Sequence, residues 1–263
     1  MSLKKGIILA GGTGSRLFPI TKSVNKHLLP IYDKPMIFYS LSTLLLLGIR
    51  DILIITSPDC LNLYKNIFND GSFLGININY AIQEEANGIP EAFLIGESFI
   101  DKNRFSLILG DNMFFGSNLK KLLNESVNNN KKSTIFSYKV NNPEKYGVID
   151  YNKNNKAKLI IEKPNKFISN DVVTGLYIYS HDVINIAKKL KPSNRGELEI
   201  TDINNYYIKN NSIDIVELGR GTTWIDAGSF NSLNDASNIV KSMQERQGLK
   251  ISCPEEISWR NGN

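Results

Sequence analysis

Gly6-Ile7-Ile8-Leu9-Ala10-Gly11-Gly12-Thr13-Gly14-Ser15-Arg16-Leu17 joins a short apolar run to a loop with three glycines in four positions. The run is long enough only for a buried strand, so the glycines stand where a strand opens onto a turn. Glycines there permit positive φ and keep side chains from holding a ligand off the backbone amides, while Thr13 and Ser15 add hydroxyls and Arg16 a cation. The composition of the loop is that of a phosphate cradle. A dinucleotide fingerprint G-x-G-x-x-G fails because Leu17 stands where the third glycine belongs, and no lysine completes a Walker A loop. Lys22, Lys26 and His27, beyond Pro19, suit a loop that wraps a polyphosphate from one side. A glycine-rich turn without a ligand is the plainer alternative.

Outward from this loop, short apolar runs alternate with helical patterns. Met36 to Gly48 reads as a buried helix, Asp51 to Thr56 as a strand, Leu61 to Phe68 as a helix, and Ile76 to Ile82 as a strand. Ile89 to Phe99 reads as a further helix, and Phe105 to Leu109 as a fourth strand ending in Gly110-Asp111-Asn112. This alternation predicts a three-layer, Rossmann-like α/β fold with a mostly parallel sheet, whose ligands bind beyond the carboxyl ends of the strands. The segment 124–132 is polar and reads as a helix end and surface loop. Beyond it the chain becomes strand-rich: Thr134 to Val140, Tyr146 to Tyr151, Ala157 to Glu162 and Val172 to Tyr179. Helices at His181 to Leu190 and Glu197 to Lys209, a strand at Ile213 to Leu218, and a last helix from Phe230 to Glu245 complete the chain. The expectation is one continuous domain over 1–263, with the half that carries the phosphate-cradle loop at about 1–132, a sugar- or acceptor-binding half at about 133–228 and a C-terminal helical segment at about 229–263.

Composition narrows the function. With 41% apolar and 22% charged residues, the 263-residue chain reads as an ordinary globular protein, long enough to bury roughly three quarters of its unfolded surface. The net charge of +5 is spread among acids, unlike a nucleic-acid-binding face, and suits a phosphorylated small molecule. Cys60 and Cys253 are far apart and lack metal-ligand spacing, so they read as free thiols in a reducing cytoplasm. No run reaches the roughly 18 apolar residues of a membrane span, so no membrane partner is expected. The two histidines cannot form H-E-x-x-H, and no G-x-S-x-G occurs.

What remains is a polyphosphate loop with Arg16 and Lys26, and aspartates at two strand ends, Asp111 and Asp226. Mg²⁺ is a hard ion held by one or two carboxylates together with phosphate oxygens and water, and these residues suit it and a triphosphate. Either aspartate alone reads equally well as a cap or surface turn. Glu162-Lys163-Pro164 offers a carboxylate for sugar hydroxyls and an ammonium for a phosphate, or simply a solvated turn.

The loop at 9–17 together with Lys26-His27-Leu28-Leu29-Pro30, Leu109-Gly110-Asp111-Asn112, Glu162-Lys163-Pro164, Val173-Thr174-Gly175-Leu176-Tyr177 and Arg195-Gly196-Glu197-Leu198-Glu199-Ile200-Thr201-Asp202 closely resembles the glucose-1-phosphate thymidylyltransferases of the sugar nucleotidyltransferase superfamily. The resemblance implies a Mg²⁺-dependent reaction of dTTP with glucose 1-phosphate that feeds deoxysugar pathways such as dTDP-rhamnose. It implies that Leu9, Gly11, Gly12, Thr13, Gly14, Ser15 and Arg16 hold the nucleotide, and that Arg16 and Lys26 neutralise charge. Asp111 and Asp226 would bind the metal, and Gln83 and Gly88 would read the thymine edge. Asn112, Tyr146, Gly147, Glu162 and Val173 would hold the sugar, with Lys163 and Arg195 on its phosphate. A homotetramer is implied, although the C-terminal segment is shorter than usual for the family. Pro90 and Glu91 replace the alanine and glutamine typical of that family, His27 replaces a glutamine, and Trp224-Ile225-Asp226-Ala227-Gly228 stands where Trp-Leu-Asp-Thr-Gly is usual. A relative that uses UTP or another hexose 1-phosphate, and a catalytically silent nucleotide-sugar binder, stay open as alternatives.

Overall fold

The structure, a computed structural model, describes residues 3–129 and 131–262, so Asn130 of the polar 124–132 segment lies outside the described residues. Four strands follow the predicted alternation: β1 (Lys5–Ala10), β2 (Asp51–Thr56), β3 (Asn77–Ile82) and β4 (Phe105–Leu109). They pair in parallel in the order β4-β1-β2-β3, with Leu9 level with Leu109 and Ile55. Their carboxyl ends therefore open onto one rim.

Successive strand residues point to opposite faces, and in β1, β2 and β4 both faces are largely buried, whereas the edge strand β3 exposes Asn77, Asn79 and Ile82. Ile8, Ile52, Ile54 and Ile108 enter one core, whereas Ile7, Leu53, Ile55 and Leu107 enter the other. The first core lies under α1 (Ile37–Leu46) and α2 (Leu61–Phe68). The second lies under α3 (Glu91–Ile95) and α4 (Glu97–Ile100), which the sequence reads as one helix. Gly96 divides them where the chain passes close to β1: a Cβ there would stand 3.0 Å from Ile7 Cδ1.

After β4 the chain forms β5 (Asn112–Gly116) and α5 (Leu119–Val127), then β6 (Ser133–Lys139), β7 (Gly147–Tyr151), β8 (Ala157–Glu162) and β9 (Asp171–Tyr179). The C-terminal half of β9 lies antiparallel between β4 and β6, but at Val172 its neighbours are β6 and β7. The sheet thus splits near Thr174-Gly175, where the register with β6 shifts between Val173 and Tyr177. The helix α6 (Val183–Ala187) is shorter than its sequence pattern, and α7 (Ile200–Lys209) starts late because the run Arg195–Glu199 stays in a loop with Gly196 at φ +77°. Then β10 (Ile213–Glu217) pairs in parallel with β6.

β5 is the element that the sequence reading lacks, and it matters most for the site. It leaves the sheet to pair antiparallel with β11 (Thr222–Asp226), with Asp226 level with Asn112. That register brings Asp226 beside Asp111, and the Ala227 amide donates to the Asp111 carbonyl at 2.9 Å. A third core of Ile31, Met36, Tyr39, Met113, Phe115, Ala236 and Val240 backs this ribbon beneath α8 (Phe230–Gln247). α9 (Pro254–Arg260), within the C-terminal segment expected to be helical, docks on α1, where Asn261 Nδ2 donates to the Leu45 carbonyl at 2.7 Å. No helix is long and apolar enough to cross a membrane among the described residues.

Candidate active site

The glycine loop follows β1 on the rim. Gly14, at φ +66°, starts the short turn Ser15–Leu17, and Thr21 Oγ1 fastens it by donating to the Gly14 carbonyl at 2.8 Å. A Cβ on Gly11 would fall 2.4 Å from Gln83 Oε1, so only glycine lets that side chain lie on the loop. Gly12 faces the end of Lys26, and Thr13, Ser15 and Arg16 are exposed.

Lys26 Nζ lies 2.5 Å from Asp111 Oδ2, and both side chains are nearly buried. The other carboxylate oxygen accepts from Asn112 Nδ2 at 3.0 Å. Burial alone would raise the Asp111 carboxyl, but the Lys26 charge and the hydrogen bonds from Lys26 and Asn112 outweigh it and hold the group well below the usual carboxylate range. Asp226 is shifted the other way. Burial first, then the charge of Asp111, push it up to about 6 against the pull of Arg16 and Lys26. A Cβ on Gly228 would stand 2.7 Å from Arg16 Nη2 and 2.9 Å from Asp226 Oδ1, so this glycine lets the guanidinium approach the carboxylate.

Two carboxylates that repel one another at the cleft, Asp111 buried and Asp226 half-buried, fit a hard divalent cation. Among the described residues no cluster of three or more His, Cys, Asp or Glu side chains could hold a metal. An ion on Asp111 and Asp226 would therefore complete its shell from phosphate oxygens and water.

Two cavities meet at this pair. One, of about 300 Å³, is lined by Leu9, Gly12, Arg16, Lys26, Gln83, Gly88 and Asp111. The other, of about 370 Å³, is lined by Arg16, Asp111, Asn112, Tyr146, Gly147, Glu162, Lys163, Val173 and Asp226. Arg16 and Asp111 belong to both. Larger cavities of about 600 and 630 Å³ lie elsewhere, against α9 and against α6 and α7, and lack paired strand-end carboxylates.

In the second cavity Glu162 accepts from Thr201 Oγ1 at 2.7 Å, and Lys163 sits at φ +43° directly before Pro164. Asn112 Oδ1 accepts from Gly175 N at 2.9 Å and from Trp224 Nε1 at 2.6 Å, and the Trp224 ring packs on Tyr146 at 5.2 Å. Arg195 lines neither cavity. It pairs with Glu199 through Nη2 at 2.7 Å and reaches Glu162 only at 3.6 Å.

In the first cavity, Gly88 at φ +108° bridges to Leu198, and a Cβ there would lie 2.2 Å from the Leu198 carbonyl. Sequence reasoning marked Glu91 only as a departure from the family pattern bearing on selectivity, and gave no role to Gly175, Thr201, Trp224 or Gly228. Their importance comes from contacts across the fold, and no spacing in the chain signals it.

Residues 5–243 match the nucleotidyl transferase family model. A glucose-1-phosphate thymidylyltransferase of Neisseria meningitidis serogroup A is 49% identical over 258 residues, spanning 98% of this chain and 90% of the relative. The chain belongs to the glucose-1-phosphate thymidylyltransferase family. A solved candidate glucose-1-phosphate thymidylyltransferase from Bacillus anthracis superposes with a TM-score of 0.83 at 40% identity, covering 90% of this chain and 94% of that one. A UDP-glucose pyrophosphorylase in complex with UDP-glucose gives 0.80 at 28% identity, over 92% of this chain and 99% of that one. This thymidylyltransferase family member is an enzyme, a nucleotidyltransferase built on the α/β fold that the strand and helix pattern predicts.

Proposed function

We propose that the protein transfers dTMP from dTTP to α-D-glucose 1-phosphate, giving dTDP-glucose and pyrophosphate. The observation that carries this reading is the Lys26–Asp111 pair at the junction of two cavities, with Arg16 and Asp226 beside it. One cavity adjoins a glycine loop suited to a triphosphate, and the other a carboxylate, a lysine and aromatic rings suited to a sugar phosphate.

In this reading the loop Gly11 to Arg16 seats the triphosphate, while Gln83 and Gly88 face the thymine. Glu162, with Gly147, Tyr146 and Val173, orients glucose through its hydroxyls, and Asn112 fixes the wall between them. Lys163 holds the sugar phosphate so that one oxygen approaches the α-phosphorus in line, opposite the departing pyrophosphate. Arg195 assists at the rim through Glu162. Transfers of this kind are catalysed by positioning and charge neutralisation, so Arg16 and Lys26 act by facing the oxygens on which charge grows. Asp111 and Asp226 would hold Mg²⁺, which when bound supplies charge neutralisation to the phosphates. The free thiols Cys60 and Cys253 support a cytoplasmic location, and the family supports a homo-oligomer.

The test is magnesium-dependent pyrophosphate release from dTTP and glucose 1-phosphate, with UTP in parallel. Asp111→Asn should lower the rate by at least ~10²-fold, the cost of a lost charge-stabilising group. Full activity in that variant, or release with UTP alone, would overturn the metal site or the base assignment respectively.

A further inference from the structure

Glu91 stands behind Gln83, beside the cavity that Gln83 and Gly88 line, without lining it. Its Oε2 accepts from Gln83 Nε2 at 2.6 Å, and its Oε1 accepts from Asn87 Nδ2 at 3.0 Å. Gln83 is only 4% exposed, and its Oε1 lies over Gly11 of the phosphate loop, in contact with the backbone that a Cβ would cover. The two ends of a glutamine amide have almost the same shape and opposite hydrogen-bonding sense. An ionised carboxylate accepts and never donates, so it takes the NH₂ end and turns the carbonyl away.

We propose that Glu91 is a specificity-determining positioning residue, which locks the Gln83 amide so that its carbonyl faces the base. The inference rests on the reading that Gln83 meets the nucleobase. A carbonyl at that edge accepts from a ring N3–H, which thymine and uracil carry, and repels the N3 lone pair of cytosine. With a neutral amide at position 91, donor and acceptor match in either sense, and Gln83 is free to present its NH₂ group. The lock therefore acts on which pyrimidine binds, and leaves the chemistry at the phosphates untouched.

The decisive experiment measures the KM for dTTP and the inhibition constant of dCTP competing with it, in the wild type and in Glu91→Gln, Asn87→Ala and Gln83→Ala. Glu91→Gln should narrow the ratio of the two constants by about tenfold, the worth of one well-placed hydrogen bond, with the effect in KM and not in kcat. Asn87→Ala, which spares the Gln83 contact, should keep the wild-type ratio. An unchanged ratio in Glu91→Gln beside a narrowed one in Gln83→Ala would overturn the lock and leave the base assignment standing. Equal narrowing in Glu91→Gln and Asn87→Ala would overturn it as well, because general loosening of the loop would then account for both. An unchanged ratio in all three would remove Gln83 from the base and the proposal with it.

Discussion

His27 shows how one side chain beside the site carries both structure and a pH signature. It is buried, and Asn25 Oδ1 accepts from its backbone amide at 2.9 Å, from its Nδ1 at 3.0 Å and from Tyr64 OH at 2.8 Å. Burial first, then the Lys26 charge, lower its pKa to about 3, with Asp111 opposing. The unfolded chain takes up this proton near pH 6.5, whereas the folded one refuses it until far lower pH. The stability it contributes is therefore intact above 6.5 and is lost as pH falls, by roughly 1.4 kcal/mol per unit. Urea titrations at pH 7 and pH 5 should show the wild type losing about 2 kcal/mol more than His27→Gln. Equal losses would mean that the imidazole keeps its ordinary pKa. The identity of this residue is plain in the sequence, but its neutrality is not, since that depends on Gly110 closing over the ring, where a Cβ would lie 2.8 Å from Cδ2.

Among the elements, the split in the sheet at β9 depends on one glycine. A Cβ on Gly175 would stand 2.5 Å from Asn112 Oδ1, which accepts from both Gly175 N and Trp224 Nε1. Gly175→Ala should displace Asn112 and strand two buried donors, costing about 2–3 kcal/mol. Denaturant titration checks the stability, and weakened binding of glucose 1-phosphate should accompany the loss. A variant as stable as the wild type would show that Asn112 has room to move. The helix α8 begins with a reciprocal cap: Ser229 Oγ accepts from Ser232 N at 3.3 Å, and Ser232 Oγ accepts from Ser229 N at 3.1 Å. Ser229→Ala should cost about 1 kcal/mol of stability. Because α8 packs on the ribbon that ends in Asp226, a calorimetric midpoint unmoved by this change would separate the helix start from the stability of the site.

At the scale of the whole molecule, the C-terminal segment closes over the core on the side of α1. Ser42 Oγ donates to the Ser252 carbonyl at 2.9 Å, the Ser258 hydroxyl bonds the Leu74 carbonyl, and Ile257 packs on the first core. Truncation before Pro254 should lower the thermal midpoint by roughly 5 °C or more through lost burial, while the KM for dTTP stays near the wild-type value. A raised KM at unchanged midpoint would place this segment in the function of the cleft and not in the packing of the core. The alternation of apolar runs and helical patterns determined the parallel strands β1 to β4: a strand buried on both faces, as β1, β2 and β4 are, must be largely apolar, and the edge strand β3 shows the alternation of a half-exposed one, so that constraint is written locally. Glycines at the end of β1 likewise announced the turn by which the chain leaves that strand. The ribbon of β5 and β11, the split at Gly175, and the grip of Glu91 on Gln83 were decided only by the tertiary structure. Each joins residues through a backbone register or a side-chain contact, and Asp111 meets Asp226 only when the intervening strands have closed. Local pattern records which residues must be buried, whereas the meeting of two carboxylates depends on the path of the chain between them.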